Sequence, residues 1–235
     1  MEHSRKYPTI LKYPLADGSL AAEMISVPGG TFIRVDDTGE PVSEVELSDY
    51  TLGRYVVTFE QYDRFAKATE RKLPGACGWG RGSRPIMKIS WHDATAYTQW
   101  LSDSTGENFR LPTEAQWEYA CRAGTMTDYS FGQNITEGQV NFNKIENKTM
   151  PVGSYRPNQL GIYEMHGNVW EWCSDWYGKY PLGKVSDPKG PDNGEMRVLR
   201  GGSWFVNAWY TRSQSRACDQ PEERDHSRGF RLAGG

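Results

Sequence analysis

The 235-residue chain is short of aliphatic side chains, of histidine and of charge of a single sign, and each shortage narrows what it can do. Lys and Arg number 27 against 30 Asp and Glu, a formal net charge of −3, so no basic field exists to hold a nucleic-acid backbone. No apolar run approaches the ~20 residues of a membrane span, and no membrane insertion is expected. The first residues, MEHSRKYPTILKYPLADGSL, lack both a continuous apolar core and a signal cleavage site. The expectation is a cytoplasmic protein, or one exported without a cleaved signal. The four cysteines, Cys77, Cys121, Cys173 and Cys218, include no CxxC pair, which argues against a zinc ribbon or a thioredoxin-like redox site. The four histidines, His3, His92, His166 and His226, are far apart and form no metal-binding spacing.

Nine Trp and 25 Gly fill the gap left by the missing aliphatics. A core built from indole and phenol rings needs polar partners for N–H and O–H groups, and glycine supplies the turns that pack irregular backbone around them. The composition therefore describes one loop-rich domain over residues 1–235, with residues 1–22 as an N-terminal extension.

Local signals place the elements. Residues 23–35 read as two short strands about a Pro28-Gly29-Gly30 turn, and residues 44–57 as a further strand pair. Thr58, with Gln61 three residues on, opens a helix over 58–68; Ser90 opens one over 90–103, ended by Gly106. Thr113 with Gln116 opens a third over 113–122, ended by Gly124. Glu114 and Glu118 lie one turn apart on it, a spacing read as a solvated face rather than an acid–base pair. After Gly124 no helical period remains. Cys121 and Cys173 stand among apolar and aromatic neighbours, as small core residues do.

The segments MISVPGGTFI, RPIMKISWHDATAYTQWL, FRLPTEAQWEYACRAGT, GIYEMHGNVWEW, VLRGGSW and RGFRLA occur in the order found in the formylglycine-generating-enzyme (sulfatase-modifying-factor) family, which the chain resembles over roughly residues 23–233. The resemblance implies an α+β, C-type-lectin-like fold: a small twisted antiparallel sheet, two or three helices and extended loops. That fold hosts copper-dependent oxidases, iron-dependent sulfoxide synthases and non-catalytic binders, among them the variable proteins of diversity-generating retroelements, so it does not settle function. In the oxidases two cysteines follow the GGS turn, three and eight residues after its serine. Here Val206 and Thr211 stand at those positions, and neither replaces the thiolates that hold Cu(I). No copper and no catalytic residue are expected.

In the resembling enzymes the GNVWEW loop binds calcium, which implies a structural Ca2+ held by Gly167, Asn168, Val169 and Glu171. The residues alone also allow Asn168 and Glu171 to serve loop amides and indole N–H groups instead. A second calcium site of the family, near Asn141, meets a shortened acidic loop here.

Residues 198–233 remain. Gly201, Gly202, Arg212, Arg216, Pro221, Arg224, Gly229 and Phe230 match the family framework. Between them lie patches without packing period: Phe205-Val206-Asn207, Ala217-Cys218-Asp219 and Asp225-His226-Ser227. Many relatives are asparagine-rich there, and all nine residues belong to the set that can be reached by substituting adenines in an Asn codon. With Trp209 and Tyr210 as further aromatic contacts, these residues are expected to form one exposed ligand-binding face on a rigid scaffold. The ligand expected is a protein or cell-surface molecule. A drifted loop, an oxidase with altered metal ligands and a scaffold domain with a fixed partner are the competing readings.

Overall fold

The computed structural model describes residues 9–36 and 38–235. A five-stranded sheet gathers both ends of the chain, in the order β1 (Ile10–Pro14), β2 (Leu20–Val27), β5 (Tyr50–Val56), β12 (Arg231–Gly234) and β6 (Phe109–Arg110). A three-stranded sheet joins β3 (Gly30–Val35), β4 (Pro41–Leu47) and β8 (Gly183–Ser186). The third sheet runs β10 (Arg216–Asp219), β9 (Arg197–Arg200), β7 (Trp170–Trp176) and β11 (Arg228–Gly229). Together with helices α1 (Phe59–Ala68), α2 (Trp91–Thr105) and α3 (Glu114–Arg122), they make the expected α+β, loop-rich fold. Residues 140–235 contain no helix longer than a single 3-10 turn, Ala208–Thr211.

All three helices start on the caps read from the sequence, Thr58 with Gln61, Ser90, and Thr113 with Gln116, and the structure adds Asp93 as the partner that completes a capping box at Ser90. Each satisfies two amides that the helix cannot pair internally. α2 ends on left-handed Gly106 (φ 76°), whereas α3 turns left-handed one residue early, at Ala123 (φ 47°), just before Gly124.

The strand pairs read about residues 23–35 and 44–57 need correction. β2 and β3 flank the Pro28-Gly29 bend but belong to different sheets, as do β4 and β5 about residues 48–49. The chain crosses between sheets at both places, and the two crossings press together. The Gly29 amide donates to Asp49 Oδ1 at 2.7 Å, and a Cβ on Gly29 would lie 2.3 Å from the Leu47 carbonyl oxygen. Only glycine permits that approach. Within the segment read as an extension, Ile10–Pro14 pairs along β2 as an edge strand; residues 1–8 lie outside the described residues.

Aromatic rings fill the core between the five-stranded sheet, α1 and α2. Tyr62, Phe65, Tyr97 and Phe230 meet edge-on, with ring centroids 5.1–5.5 Å apart, a separation that favours T-shaped pairs. Cys121 and Cys173 are fully buried, as expected. α3 is buried almost all round, against β4, β7 and β9, so its charged residues must find partners inside the protein. Among the described residues no helix is long and apolar enough to cross a membrane.

Candidate functional site

The last third of the chain is organised around charges that the sequence reading assigned to solvent. Glu114 and Glu118 are 3% and 0% exposed, so the solvated-face reading of α3 is wrong. Glu118 meets Arg122 at 2.8 Å, Arg200 at 2.9 Å and Arg34 at 3.4 Å. Burial alone would raise its carboxyl, but the guanidinium charges of Arg200, Arg34 and Arg122 outweigh that and hold it below the ordinary carboxylate range. Glu114 receives Arg216 through both oxygens, at 2.9 and 2.6 Å, and the Tyr180 hydroxyl at 3.0 Å. The period of α3 could disclose only Arg122, four residues on from Glu118; the other partners, Arg34, Tyr180, Arg200 and Arg216, are distant in sequence.

Arg200 carries the cluster to the surface segment. Fully buried, it donates to the carbonyls of Ser213 (2.6 Å), Gln214 (2.9 Å) and Ser215 (2.8 Å). Three consecutive carbonyls on one guanidinium leave that stretch little freedom. Sequence reasoning missed Arg200 because VLRGGSW drew attention to its glycines. Those glycines have their own role: Gly202 (φ 74°) passes so close to the next turn that a Cβ would lie 2.5 Å from Thr211 Cγ2.

The Ala208–Thr211 turn is tied from behind. Asn207 caps it by accepting the Trp209 amide at 3.1 Å. The Trp209 carbonyl accepts from Arg212 Nε (3.0 Å) and Ser215 Oγ (2.6 Å); the Ala208 carbonyl accepts from Thr211 Oγ1 (2.9 Å) and the Tyr129 hydroxyl (2.8 Å). The side chains point the other way. Trp209 is 56% exposed, Tyr210 48% and Phe205 38%, and Asn207 is exposed as well. Arg212 stacks under the Trp209 ring, 3.4 Å from its centroid.

Phe205 continues into a second aromatic group. Its ring stacks with His226 at 5.9 Å, and His226 also lies 5.4 Å from Trp204 and 6.1 Å from Trp79. Asp225 Oδ2 lies 3.1 Å from His226 Nδ1. Burial pushes the Asp225 carboxyl up, but hydrogen bonds from Ser227 and His226 prevail and keep it below its usual range. The structure thus brings the 205–207 and 225–226 patches together. Val206 and Ala217 are half-buried against the aromatic core; Cys218 and Asp219 are half-buried on β10, with Cys218 Sγ 3.4 Å from Met196 Sδ and Asp219 paired to Arg228. Ser227 is 2% exposed, so its place on an exposed face is corrected. Its hydroxyl and amide both go to Asp225 Oδ1, and its carbonyl accepts the Trp170 amide.

The two positions aligned with oxidase cysteines are structural. Val206 packs on the core, and the buried Thr211 accepts His166 Nδ1–H through its carbonyl at 2.8 Å. His166 Nε2 accepts the Ser130 amide at 3.1 Å, which fixes the neutral tautomer, and burial pushes its pKa down to about 4. Cys121 Sγ lies 3.7 Å from His166 Nε2, but burial pushes that thiol up to about 12, far from thiolate formation. Among the described residues, no group of three or more His, Cys, Asp and Glu side chains is arranged to hold a metal ion.

The calcium implied at Gly167, Asn168, Val169 and Glu171 fits poorly with the side chains there. Glu171 gives Oε2 to Arg231 Nε (2.6 Å) and Trp117 Nε1 (2.8 Å), and Oε1 to Arg231 Nη2 (2.8 Å). A cation at that carboxylate would face a buried guanidinium. Asn168 Oδ1 already accepts from the Met150 amide and Asn141 Nδ2, while its own Nδ2 donates to the Met150 carbonyl. The Gly167 amide donates to Gly201, joining this loop to the GGS turn.

A family model, the sulfatase-modifying factor enzyme 1-like domain, matches residues 14–234. The chain is 32% identical to a formylglycine-generating enzyme of Streptomyces coelicolor, covering 89% of this chain and 88% of that protein. Among solved structures it is similar to Treponema denticola variable protein 1, with a TM-score of 0.84, 27% identity and coverage of 97% and 99% of the two chains. It is also similar to PvdO from Pseudomonas aeruginosa, with a TM-score of 0.81, 29% identity and the same coverage.

Proposed function

We propose that this chain, which belongs to the sulfatase-modifying factor enzyme 1-like domain family, is a non-catalytic ligand-binding protein that presents a variable face from its C-terminal segment. The face comprises Phe205, Asn207, Trp209, Tyr210 and His226, with half-buried Val206 and Asp225 beside them, while Ala217, Cys218 and Asp219 are half-buried on β10. One observation carries the reading: the carbonyls of Ala208, Trp209, Ser213, Gln214 and Ser215 are bonded to buried or half-buried groups while the side chains of Trp209 and Tyr210 face solvent. A binding face that must change its side chains needs that separation, because fixed backbone keeps the fold while exposed positions are exchanged. Aromatic groups there provide contact area at low entropy cost, with Asn207 and His226 as adaptable hydrogen-bonding groups. The likeness to a variable protein supports the same reading, as does the fact that the patch residues all fall within the set reached by adenine substitution in Asn codons.

Sequencing the encoding gene from independent isolates tests the proposal. Substitutions should concentrate in the codons of the three patches, at adenine positions of a common template, with Arg200, Gly202, Ser213 and Arg216 invariant. Substitutions spread evenly over residues 198–233 would remove the display reading. Copper-dependent oxygen consumption with a peptide bearing the sulfatase cysteine motif would replace it with the oxidase reading.

A further inference from the structure

A cleft of about 410 Å3 opens past the C-terminal end of α1, where residues 71–75 meet Lys88, the first turn of α2 and Arg224. Its size falls within the range of small-ligand sites. Four cations line it, Arg71, Lys72, Lys88 and Arg224, against one carboxylate, Asp93. The chain as a whole carries a net charge of −3, so the cleft locally reverses the sign of the molecule. Glu70, Glu222 and Glu223, neighbours of these cations in sequence, are not part of the lining.

Asp93 cannot balance that charge. Its Oδ2 accepts from the Ser90 amide and hydroxyl, both at 2.9 Å, and from Arg224 Nε and Nη2 at 2.9 and 2.8 Å. Its Oδ1 faces only Arg71, at 3.9 Å, too far for a hydrogen bond. Among the described residues Lys72 and Lys88 have no carboxylate partner, so three positive charges stay unbalanced. The backbone holds Lys88 there: its φ is 58° and its amide donates to the Asp225 carbonyl at 2.9 Å. All four cations can be reached from solvent, because the side chains of Arg71 and Arg224 are 46% and 53% exposed, Lys72 is exposed and Lys88 is half-buried. Like charges gathered in a cleft focus their field and concentrate anions. Tyr62 also lines the cleft, and its hydroxyl has no hydrogen-bond partner among the described residues. Burial pushes that phenol further above its usual range, so it remains an O–H donor.

We propose that this cleft binds a small organic phosphate monoester, with the phosphate among Arg71, Lys72, Lys88 and Arg224 and the organic part against Leu73 and Pro74. The unbalanced charge favours a dianion over a monoanion. The donors come from three separate stretches of chain, which suits a tetrahedral oxyanion that accepts from several directions better than a planar carboxylate held by one guanidinium fork. Among the lining residues only Leu73 is a large exposed apolar side chain, too little to hold the protein on a lipid surface, so the ligand is a soluble one. The cleft borders the Phe205–His226 group through Asp225 but contains none of the exposed residues of the face, so binding there does not depend on that face.

Phenyl phosphate is the probe, with phenyl sulfate as its singly charged isostere and benzoate as a planar monoanion. In two-dimensional amide NMR of the full chain, phenyl phosphate should shift Lys72, Leu73, Gly75, Lys88 and Arg224. It should bind about fivefold more tightly than either monoanion. Lys72→Gln made together with Lys88→Gln should weaken it about tenfold. Because Lys88 is half-buried, the exposed single variant Lys72→Glu provides a second reading and should weaken phenyl phosphate several-fold with an unchanged melting temperature. Lys184→Gln, which removes an exposed lysine paired with Glu44 at 3.1 Å, should leave binding unchanged. Vesicles carrying phosphatidic acid, the same group on a lipid surface, should not retain the chain. Shifts mapping elsewhere, or undiminished binding by both lysine variants, would overturn the site. Equal binding of phenyl sulfate or benzoate would overturn the choice of a phosphate monoester, and retention on the vesicles would overturn the choice of a soluble ligand.

Discussion

Replacing Arg216 with alanine should destabilise the protein by about 3 kcal/mol, although the residue lies in a surface segment. The estimate comes from what is left behind. Glu114 is 3% exposed and receives Arg216 at 2.9 and 2.6 Å; without it the carboxylate keeps only Tyr180 at 3.0 Å and a longer contact to Arg200 at 3.5 Å. Breaking a buried pair by deleting one partner costs about 3–5 kcal/mol, mostly because the other charge remains uncompensated. The remaining contact to Arg200 places this case at the lower end. For a chain of this size, about 3 kcal/mol corresponds to a fall in Tm of roughly 6–12 °C. Urea unfolding followed by tryptophan fluorescence measures it, and Glu114→Gln made together with Arg216→Ala should recover part of the loss, because no orphaned charge remains. A cost below about 1 kcal/mol would show the fork behaving as a surface ion pair, and the claim that buried charges hold this segment would fail at that point.

Tyr210→Ala should cost about 0.5 kcal/mol or less, since its side chain is exposed, and Asn207→Ala about 1 kcal/mol, since it removes the cap on the Trp209 amide; thermal melts check both. Gly202→Val should unfold or aggregate the protein, because its Cβ would meet Thr211 Cγ2 and its φ of 74° suits glycine; the fraction of soluble, monodisperse protein reports it. Burial pushes Glu164 from 4.5 up to about 7, so the folded state holds that proton more tightly. Its stabilising contribution is fully present below about pH 4.5 and is lost as pH rises through 7, so Glu164→Gln should gain about 3 kcal/mol relative to the parent between pH 4.5 and pH 8. The variant difference isolates it from His166, whose depressed pKa acts in the opposite sense. A calcium chelator should leave the melting curve unchanged, since Glu171 is committed to Arg231 and Trp117; a lowered Tm would show that the loop does bind the ion.

What the sequence disclosed and what it hid follow from the range of the interactions. The helix starts were legible because a cap and its partner are three residues apart, as at Thr58 and Gln61. The 205–207 patch stood out because it lacks a packing period, but the 3-10 turn that follows it, Ala208–Thr211, carries no local signal in the sequence. Glu114 and Glu118 were misread because Arg200 and Arg216 are 82 and 102 residues away from the glutamates they bind. No window on α3 contains that information. The sheet crossings at Gly29 and Asp49 failed in the same way: two local turns press against each other, and only the fold shows which strands then pair. Ser227 looked like its neighbours in composition, yet a two-residue bond to Asp225 and a carbonyl turned toward Trp170 place it inside.

The central claim is that this segment separates fixed backbone from exchangeable side chains, and paired libraries test it most directly. One library randomises Phe205, Asn207, Trp209 and Tyr210; the other randomises Arg200, Ser213, Ser215 and Arg216; both are sorted by resistance to protease. Most members of the first should remain folded, with Tm values within several degrees of the parent, and almost none of the second should. Similar losses in the two libraries would mean that the turn is part of the core, and the binding face would have no scaffold to vary upon.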